Sequence, residues 1–315
     1  MKLANVSFSN SRSANAGQSH ARQSGTSTSR FWIPVAFVLC WSSGFVVPRA
    51  FAPYCEPLTF TAMRNAAAMA VLVGGAMLLR RPWPGSLRDL IGLLWSGALL
   101  QGAFLATIYW SIYHGLPTGI AALIGGLQPA ITAIFAAAML GEAVTRLQWA
   151  GIALGFAGVA LVISPKLDNA QSHLALGLTL LATFGVACGS YASIYQKRFE
   201  QSGDLLTRTA TLFVGALIPP LAGAFLFEQR VAVWSPTLIL VYAWSVLALA
   251  ICATMAFLNL IQQGQAARAA SLIYLVPPVA AFMAYMGFGE QIGPTQFAGF
   301  AVAAIGVALV QRKQA

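Results

Sequence analysis

Apolar residues fill most of the chain after residue 30 and are interrupted by short polar turns. Each apolar segment approaches the roughly 20 residues that an α-helix needs to cross a bilayer. The segments are too long and too continuously apolar for the alternating strands of a membrane barrel. The pattern predicts an all-α integral membrane protein with ten transmembrane helices, at residues 32–52, 58–79, 88–110, 118–139, 147–163, 174–194, 206–227, 236–261, 266–287 and 293–310.

The composition also favours a lipid environment. Hydrophobic residues make up 58% of the 315 positions and charged residues only 8%, against about 25% charged residues in a soluble domain. The four cysteines lie far apart, and their spacing matches neither a zinc site nor a disulfide framework. We therefore expect the lipid bilayer as a partner and neither a metal nor a cofactor.

A net charge of +10 would suit a nucleic-acid partner, but the position of the charges indicates another origin. When the loops are numbered alternately from a cytosolic N-terminus, fourteen of the eighteen Lys and Arg residues fall on the cytosolic side. This bias is the positive-inside pattern of membrane proteins. It predicts that both termini are cytosolic and that nucleic acid is not a partner.

The first thirty residues differ from the rest of the chain. They are rich in Ser, Asn and Gln, carry Arg12, Arg22 and Arg30, and contain no acidic residue. Nothing in them can build a hydrophobic core, which predicts a disordered cytosolic tail at residues 1–30. The same composition is also typical of an organelle transit peptide, which is the alternative interpretation.

The second half of the chain repeats the first. With a constant offset of 148 and no gap, residues 117–162 match residues 265–310 at 17 of 46 positions. Shared Ala and Leu raise such a count in any membrane protein. The matched positions, however, also include proline, glutamine and the dipeptides Gly141-Glu142 and Gly289-Glu290, which composition alone explains less well.

The repeat defines the expected domain organisation. A first unit at residues 31–163 and a second at residues 174–311 would each contain five helices. Because five is odd, the second unit enters the membrane from the opposite side, so the two units are inverted. Inverted repeats are typical of transporters that work by alternating access.

Two prolines occupy equivalent places in the repeat. Pro129 and Pro277 lie near the middle of the fourth and ninth predicted helices, where proline removes a backbone donor and disturbs the carbonyl four residues earlier. One interpretation is a pair of kinks that open a central cavity and act in gating. The other is an ordinary packing kink in each helix.

Several polar and aromatic side chains could line such a cavity. Small polar residues in the first helix can bind a ligand or let two helices pack closely, and the sequence does not separate these alternatives. An aromatic residue in the third helix could equally belong to an interfacial belt. The candidate substrate-binding residues are Trp41, Ser42, Ser43, Tyr109, Gln128, Tyr191 and Tyr274.

Charged and small residues complete the candidates. Arg64 is the deepest charge, about two turns inside the second helix. It is either functional or structural, with its side chain extended to the membrane interface or bonded to carbonyls of neighbouring helices. Glu142 and Glu290 follow the fourth and ninth helices, where an acid complements a helix N-terminus better than it suits a proton relay. Small residues such as Gly151 in the fifth helix and Gly299 in the tenth let backbones pack closely. They predict that both helices are scaffold rather than substrate lining.

These residues resemble a known family. The run Trp41-Ser42-Ser43-Gly44-Phe45, then Arg49, then Pro57-Leu58-Thr59-Phe60 ending at Arg64, with the doubled proline and Gly-Glu series, is similar to the EamA-type branch of the drug/metabolite transporter superfamily. The resemblance covers about residues 32–310. It implies ten helices in two inverted units that move small metabolites, often amino acids, outward across a bacterial inner membrane.

One departure limits what the resemblance carries over. The related small multidrug resistance proteins have a membrane-embedded glutamate in their first helix, whereas residues 32–52 contain no acid. Proton coupling through that residue is therefore not expected here. A cavity without an acid would suit small zwitterions or neutral metabolites better than strong cations.

The expected function is that of a secondary transporter that exports small metabolites, such as amino acids or related polar or zwitterionic solutes. An enzyme is not expected, because eight acids and three histidines, mostly in loops or in the tail, offer no catalytic cluster. The alternatives are a non-transporting membrane protein and a transporter of drugs, nucleosides or nucleotide sugars. The oligomeric state stays open, and a monomer is compatible with the sequence.

Overall fold

The computed structural model describes residues 27–167, 172–198, 204–254, 275–290 and 293–311, and the regular structure within these ranges is helical. The predicted tail lies largely outside them, as does Tyr274. Residues 1–36 form a unit of their own, and all packing described below lies within residues 37–315. The α-helices are α1 (Ser27–Phe51), α2 (Pro57–Leu78), α3 (Leu87–Gly97), α4 (Phe104–Tyr113), α5 (Thr118–Gly126), α6 (Gln128–Leu140), α7 (Arg146–Leu167), α8 (Ser172–Arg198), α9 (Leu205–Ala216), α10 (Ile218–Phe227), α11 (Pro236–Trp244), α12 (Val276–Phe288) and α13 (Pro294–Gln311).

Consecutive helices combine into rods of membrane length. Among the described residues, seven rods are long and apolar enough to cross a bilayer, for example Leu87–Tyr113 and Leu205–Phe227. Three further apolar helices are shorter within the described ranges: Val38–Phe51, Val276–Phe288 and Pro294–Val310. Large apolar side chains face outward, as at Leu226 and Leu240, which are 74% and 71% exposed. Such a surface is stable in lipid and would aggregate in water.

Both candidate gating prolines stand in the first turn of a helix. The fourth predicted helix breaks at Leu127, whose φ and ψ are −76° and −6°, so that Pro129 stands in the first turn of α6. Leu275, with φ −80° and ψ −13°, precedes α12 and places Pro277 in its first turn. Proline suits the first turn because its missing N–H would have no helical partner there. Pro129 therefore follows an interruption between α5 and α6, and Pro277 stands at the start of α12, while the residues before Leu275 lie outside the described ranges. We call Leu127 and Leu275, which precede these two helices, the proline breaks.

The third and eighth predicted helices carry π-helical segments. Ala98–Ala103 separates α3 from α4, and Ser245–Ala253 follows α11. Such widened turns disturb the regular ladder of backbone hydrogen bonds and often occur at functional sites. The sequence pattern predicted continuous helices here, because a π segment keeps the same apolar composition as its neighbours.

The seventh predicted helix is also divided. α9 ends at Ala216 and α10 begins at Ile218, with Pro219 and Pro220 in its first turn. One continuous helix is predicted at 206–227 from apolar length, although the Pro-Pro dipeptide indicates a helix start at this point. The break matters because it leaves the carbonyl of Ala216 available to a side chain of α2, as described below.

The ends of the proline helices agree in the two halves. Gly141 and Gly289 both adopt the left-handed conformation, with φ of +69° and +66°, which favours glycine at a helix end. Gln148 Oε1 then accepts a hydrogen bond from Thr145 N at 2.9 Å. In the second half Gln296 Oε1 accepts the equivalent bond from Gly293 N, also at 2.9 Å, so the 148-residue offset holds in three dimensions.

α7 and α13 pack against each other through their glycines. A Cβ at Gly151 would lie 2.5 Å from Gly306 O, and one at Gly158 would lie 2.7 Å from Gly299 O. Since the residue numbers run in opposite directions along the contact, the two helices are antiparallel. They are also equivalent in the repeat, because 151 and 299, and 158 and 306, differ by 148.

Candidate functional site

The two proline breaks face each other. A Cβ at Gly126, the last residue of α5, would lie 3.2 Å from Pro277 Cγ. α5 and α12 are packed against one another along this region. Gly126, three residues before Pro129, thus lies beside Pro277, and the site is built around this contact.

A serine of each half holds the backbone beside each break. Ser42 Oγ of α1 donates to Val276 O, 3.4 Å away, immediately before Pro277. Ser190 Oγ of α8 donates to Gln128 O at 3.2 Å, immediately before Pro129. Both serines are fully buried, and both pairs obey the 148-residue offset. Ser42 therefore holds a backbone carbonyl in place. Ser190 is not among the residues predicted from the sequence, although the 148-residue offset applied to Ser42 leads to it.

The other candidates of α1 are also engaged within the protein. Ser43 Oγ donates to Cys40 O at 2.6 Å and accepts from Trp244 Nε1 at 2.9 Å. Trp244 is 47% exposed, so the indole that reaches Ser43 also presents a face outside the core. Trp41 packs, partly buried, against the main hydrophobic core.

The aromatic candidates differ in their surroundings. Tyr109 is 1% exposed and its ring centroid lies 5.7 Å from that of Phe51, so it belongs to the packed interior. Tyr191 is half-buried, with Phe135 at 5.8 Å and Tyr195 at 6.3 Å between ring centroids. Of the two tyrosines, Tyr191 is the one able to present a ring to a ligand.

Arg64 lies deeper than its place in the sequence indicates, being 3% exposed. Its Nε donates to Ser245 O at 3.2 Å, in the second π segment. Its Nη1 donates to the side-chain oxygen of Asn65 at 2.9 Å. No described carboxylate lies within 4.0 Å of the guanidinium, so carbonyl and amide oxygens are the acceptors that stabilise this charge.

Asn65 extends the same polar group to two other helix irregularities. Its Nδ2 donates to Ala216 O at 2.9 Å, at the break between α9 and α10. It also donates to Gln101 O at 3.3 Å, in the first π segment. Arg64 and Asn65 together therefore satisfy backbone carbonyls at three places where the helical ladder is interrupted, which a membrane interior requires.

A pocket of about 210 Å³ opens where α5, α12 and α13 meet. It differs from the mixed lining expected from the sequence, because hydroxyl and amide side chains do not contribute to it. It also assigns lining residues to α13, whose small-residue face was expected to be scaffold alone. The lining residues are Leu123, Gly126, Pro277, Pro278, Phe300, Ala301, Ala303, Ala304 and Val307.

Glu290 joins three elements at one end of the bundle. Its Oε1 accepts from Arg49 Nε at 2.8 Å and from Thr118 Oγ1 at 3.0 Å. Its Oε2 accepts from Thr118 N at 3.0 Å. The sequence analysis placed this acid at a helix N-terminus, and the structure shows that the helix is α5 of the other half rather than α13, which follows Glu290 in the chain.

A second carboxylate caps α2 in a similar manner. Glu228 accepts from Leu58 N and Thr59 N, both at 2.7 Å. The adjoining turn buries the Cys55 thiol, and this burial, together with the negative charges of Glu228 and Glu56, raises the pKa of Cys55 to about 12. The turn before α2 and the segment after α10 are thereby fixed to each other.

Comparison with known proteins decides the family. The EamA-like transporter family matches residues 30–164 and again residues 175–312, which together cover most of the chain. The chain belongs to the EamA-like transporter family. The resemblance noted in the sequence is confirmed, and the chain is a multi-pass membrane protein of the transporter class.

Named relatives of this EamA-like chain extend over nearly its whole length. The uncharacterized inner membrane transporter YedA of Escherichia coli is 25% identical over 275 residues, covering 87% of this chain and 88% of its own. A probable amino-acid metabolite efflux pump of Escherichia coli is 29% identical over 273 residues, covering 83% and 88%. A probable terminal-alkyne amino-acid exporter of Streptantibioticus cattleyicolor is 28% identical over 285 residues, covering 90% and 93%.

A solved structure supports the fold of this EamA-like protein. One crystal structure, 18% identical in sequence, superimposes on 90% of this chain and 96% of its own with a TM-score of 0.56. At this level of identity the likeness concerns the fold alone. It agrees with the helical arrangement described above.

Proposed function

We propose that this protein is a secondary transporter that exports small metabolites, amino acids or related polar and zwitterionic solutes, across the cytoplasmic membrane by alternating access. Ten spans in two inverted five-helix units carry the transport path, and both termini are cytosolic. The candidate lining residues are those near the proline breaks, chiefly Ser43, Gln128 and Tyr191. Pro129 and Pro277 form the pair of hinges.

The observation that carries this proposal is the equivalence of the two halves at their contact. Ser42 with Val276 repeats as Ser190 with Gln128, and α7 meets α13 antiparallel through matching glycines. Two equivalent units in opposite orientations can exchange their packing to give two states of similar energy. That exchange is the physical basis of alternating access in inverted-repeat transporters.

The proposed substrate class rests on charge and size. The described acidic residues lie in turns or in the first turn of a helix, so a strong cation would find no carboxylate beside the proline breaks. The pocket of about 210 Å³ is smaller than the roughly 300–1,000 Å³ of drug-sized sites. This volume suits a small solute, and the polar groups for a zwitterion would come from Ser43, Gln128 and Tyr191 rather than from the apolar lining of the pocket. Two of the relatives are named as an amino-acid exporter and an amino-acid metabolite efflux pump.

Counterflow in proteoliposomes tests the function. Liposomes loaded with one unlabelled amino acid at a time should accumulate the same labelled amino acid, for at least one member of the panel. Gly126→Trp should abolish accumulation in protein that remains folded, because the indole would occupy the space of Pro277. If every amino acid behaves as in empty liposomes while a nucleoside or an organic cation accumulates, the proposed substrate class is wrong.

A further inference from the structure

The carboxylate of Glu290 connects helix ends that belong to different halves of the protein. Arg49 lies in the last turn of α1, Thr118 is the first residue of α5, and Glu290 lies in the turn between α12 and α13. A cation at a helix C-terminus and an anion at a helix N-terminus are both electrostatically favourable. One carboxylate provides both interactions here.

Glu228 is the other carboxylate described above that caps a helix, and like Glu290 it lies on the outer side in the topology predicted from the sequence. The two carboxylates differ in their surroundings. The bonds of Glu228 to Leu58 and Thr59 are backed by parallel links between the same two segments. Glu56 accepts from Val231 N at 2.8 Å, and Val233 N donates to Tyr54 O at 2.7 Å. Loss of Glu228 alone would therefore leave those segments joined.

No equivalent backbone link joins α1 to the turn that carries Glu290 among the described residues. Arg49 reaches that turn through its ion pair, in which the side chains of Arg49 and Glu290 are 29% and 17% exposed. A partly buried pair is screened by salt less than a fully exposed one. Glu290 keeps all three bonds only while the ends of α1 and α5 both lie beside it. A movement of either helix end by a few ångströms breaks the bonds that this end makes.

We propose that Glu290 is a positioning residue that closes one end of the transport path, by holding the ends of α1 and α5 together through Arg49 and Thr118. The inference rests on the proposed transport function. In the repeat, an offset of 148 relates Glu290 to Glu142 and Arg49 to Lys197. The side chain of Lys197 lies outside the described residues, so Glu142 serves as the point of comparison for the opposite end.

Sided thiol labelling tests the closure without a substrate. The four native cysteines are replaced by serine, and one reporter cysteine replaces Gln128, which is half-buried beside the first break. A membrane-impermeant maleimide is then applied to intact cells and to inside-out vesicles. Glu290→Gln should raise the outer-to-inner ratio of labelling rates about tenfold, within the roughly 5- to 150-fold range of typical coupling between sites.

Two variants separate closure from simple stabilisation. Glu228→Gln also removes a capping charge but should leave the labelling ratio unchanged, even where folded yield falls. Glu142→Gln, at the equivalent position of the other half, should not raise the ratio, and a rise equal to that of Glu290→Gln would also overturn the proposal. An unchanged ratio in folded Glu290→Gln protein, or an equal change in Glu228→Gln, would overturn the proposal.

The test remains decisive when Glu290→Gln folds poorly. Arg49→Gln removes the ion pair, and Thr118→Val removes the hydroxyl donor while keeping the backbone N–H. Each variant should raise the ratio, but less strongly than Glu290→Gln. If neither variant raises the ratio, the proposed closure by Glu290 is wrong. Because labelling needs no substrate, a protein without flux can still show the shift, so this result and the transport result fail separately.

Discussion

Two regions of the molecule are held together in different ways. Where α3 meets α9, backbone touches backbone: a Cβ at Gly97 would overlap Leu212 O, and one at Gly215 would overlap Leu94 O. Beside the proline breaks, single side-chain bonds such as that of Ser42 connect the helices. We call the first region the wall, formed by α2, α3, α9 and α10, and the second the break region, formed by α1, α5, α6, α8 and α12.

The kind of contact sets how easily each region can rearrange. Close backbone contacts leave no room for sliding, and the wall is also fixed at its ends, for instance by Thr207 Oγ1 donating to Pro82 O at 2.8 Å. Bonds in the break region can open one at a time without unfolding a helix. In the alternating access proposed above, the break region would rearrange around an intact wall.

The largest expected effect is the loss of the wall. Gly215→Ala forces a methyl group into Leu94 O, and overpacking of this kind costs about 1–3 kcal/mol or more. We expect little folded protein, measured as the monodisperse fraction in detergent. Gly74→Ala, where an added Cβ meets nothing within 4 Å, is the control and should keep its yield; equal losses in both variants would show that the wall is not tightly packed.

A smaller loss is expected from the polar group that joins the wall to the π segments. Asn65→Leu removes the donors to Ala216 O and Gln101 O. Each buried polar group left unsatisfied costs about 1–3 kcal/mol, so we expect a lower thermal midpoint in detergent. Folded yield should fall less than in Gly215→Ala, because no backbone has to move to accept the new side chain. A midpoint equal to wild type would mean that these carbonyls find other partners.

The break region should tolerate the loss of single bonds. Ser42→Ala and Ser190→Ala each remove one hydrogen bond to a carbonyl before a proline, worth about 0.5–1.5 kcal/mol. Because the bonds are equivalent in the repeat, the two variants should lose similar stability and should change the rate of counterflow more than folded yield. Unequal losses, with only one variant altering counterflow, would contradict the equivalence of the halves.

The smallest effect concerns the turn before α2. Burial raises the pKa of Cys55 from its ordinary value of 9.0 to about 12, so the folded thiol stays protonated where the unfolded thiol ionises. Stability from this group is complete below about pH 9 and falls as the pH rises toward 12. In a protein whose only cysteine is Cys55, maleimide labelling should be slow at pH 8 and fast after denaturation; fast labelling of folded protein would show that the turn is open.

The sequence predicted the features that depend on composition and local order. Apolar length indicated the helices, the 148-residue offset indicated equivalent halves, and proline marked the breaks at Leu127 and Leu275. The π segments were not predictable, since an inserted residue in a helical turn leaves no compositional trace. The Pro-Pro signal at the end of α9 was present in the sequence but was not used.

The site was harder to predict because its contacts join distant parts of the chain. Ser42 and Tyr109 have types that suit a ligand, yet both are buried against partners in other helices. One acceptor of Arg64, Ser245 O, lies in a π segment 181 residues further along the chain. Glu290 likewise caps a helix 172 residues earlier in the chain, and no local pattern reports such a partner.

The glycine contact between α7 and α13 has twofold symmetry. Gly151 meets Gly306, and Gly158 meets Gly299; exchanging each residue for its repeat equivalent returns the same two contacts. A surface with this property is what each subunit of a twofold dimer presents to the other. The single chain thus holds the contact geometry of a homodimer. A substitution in one of its helices changes only one of the two equivalent positions, whereas a substitution in a true homodimer changes both.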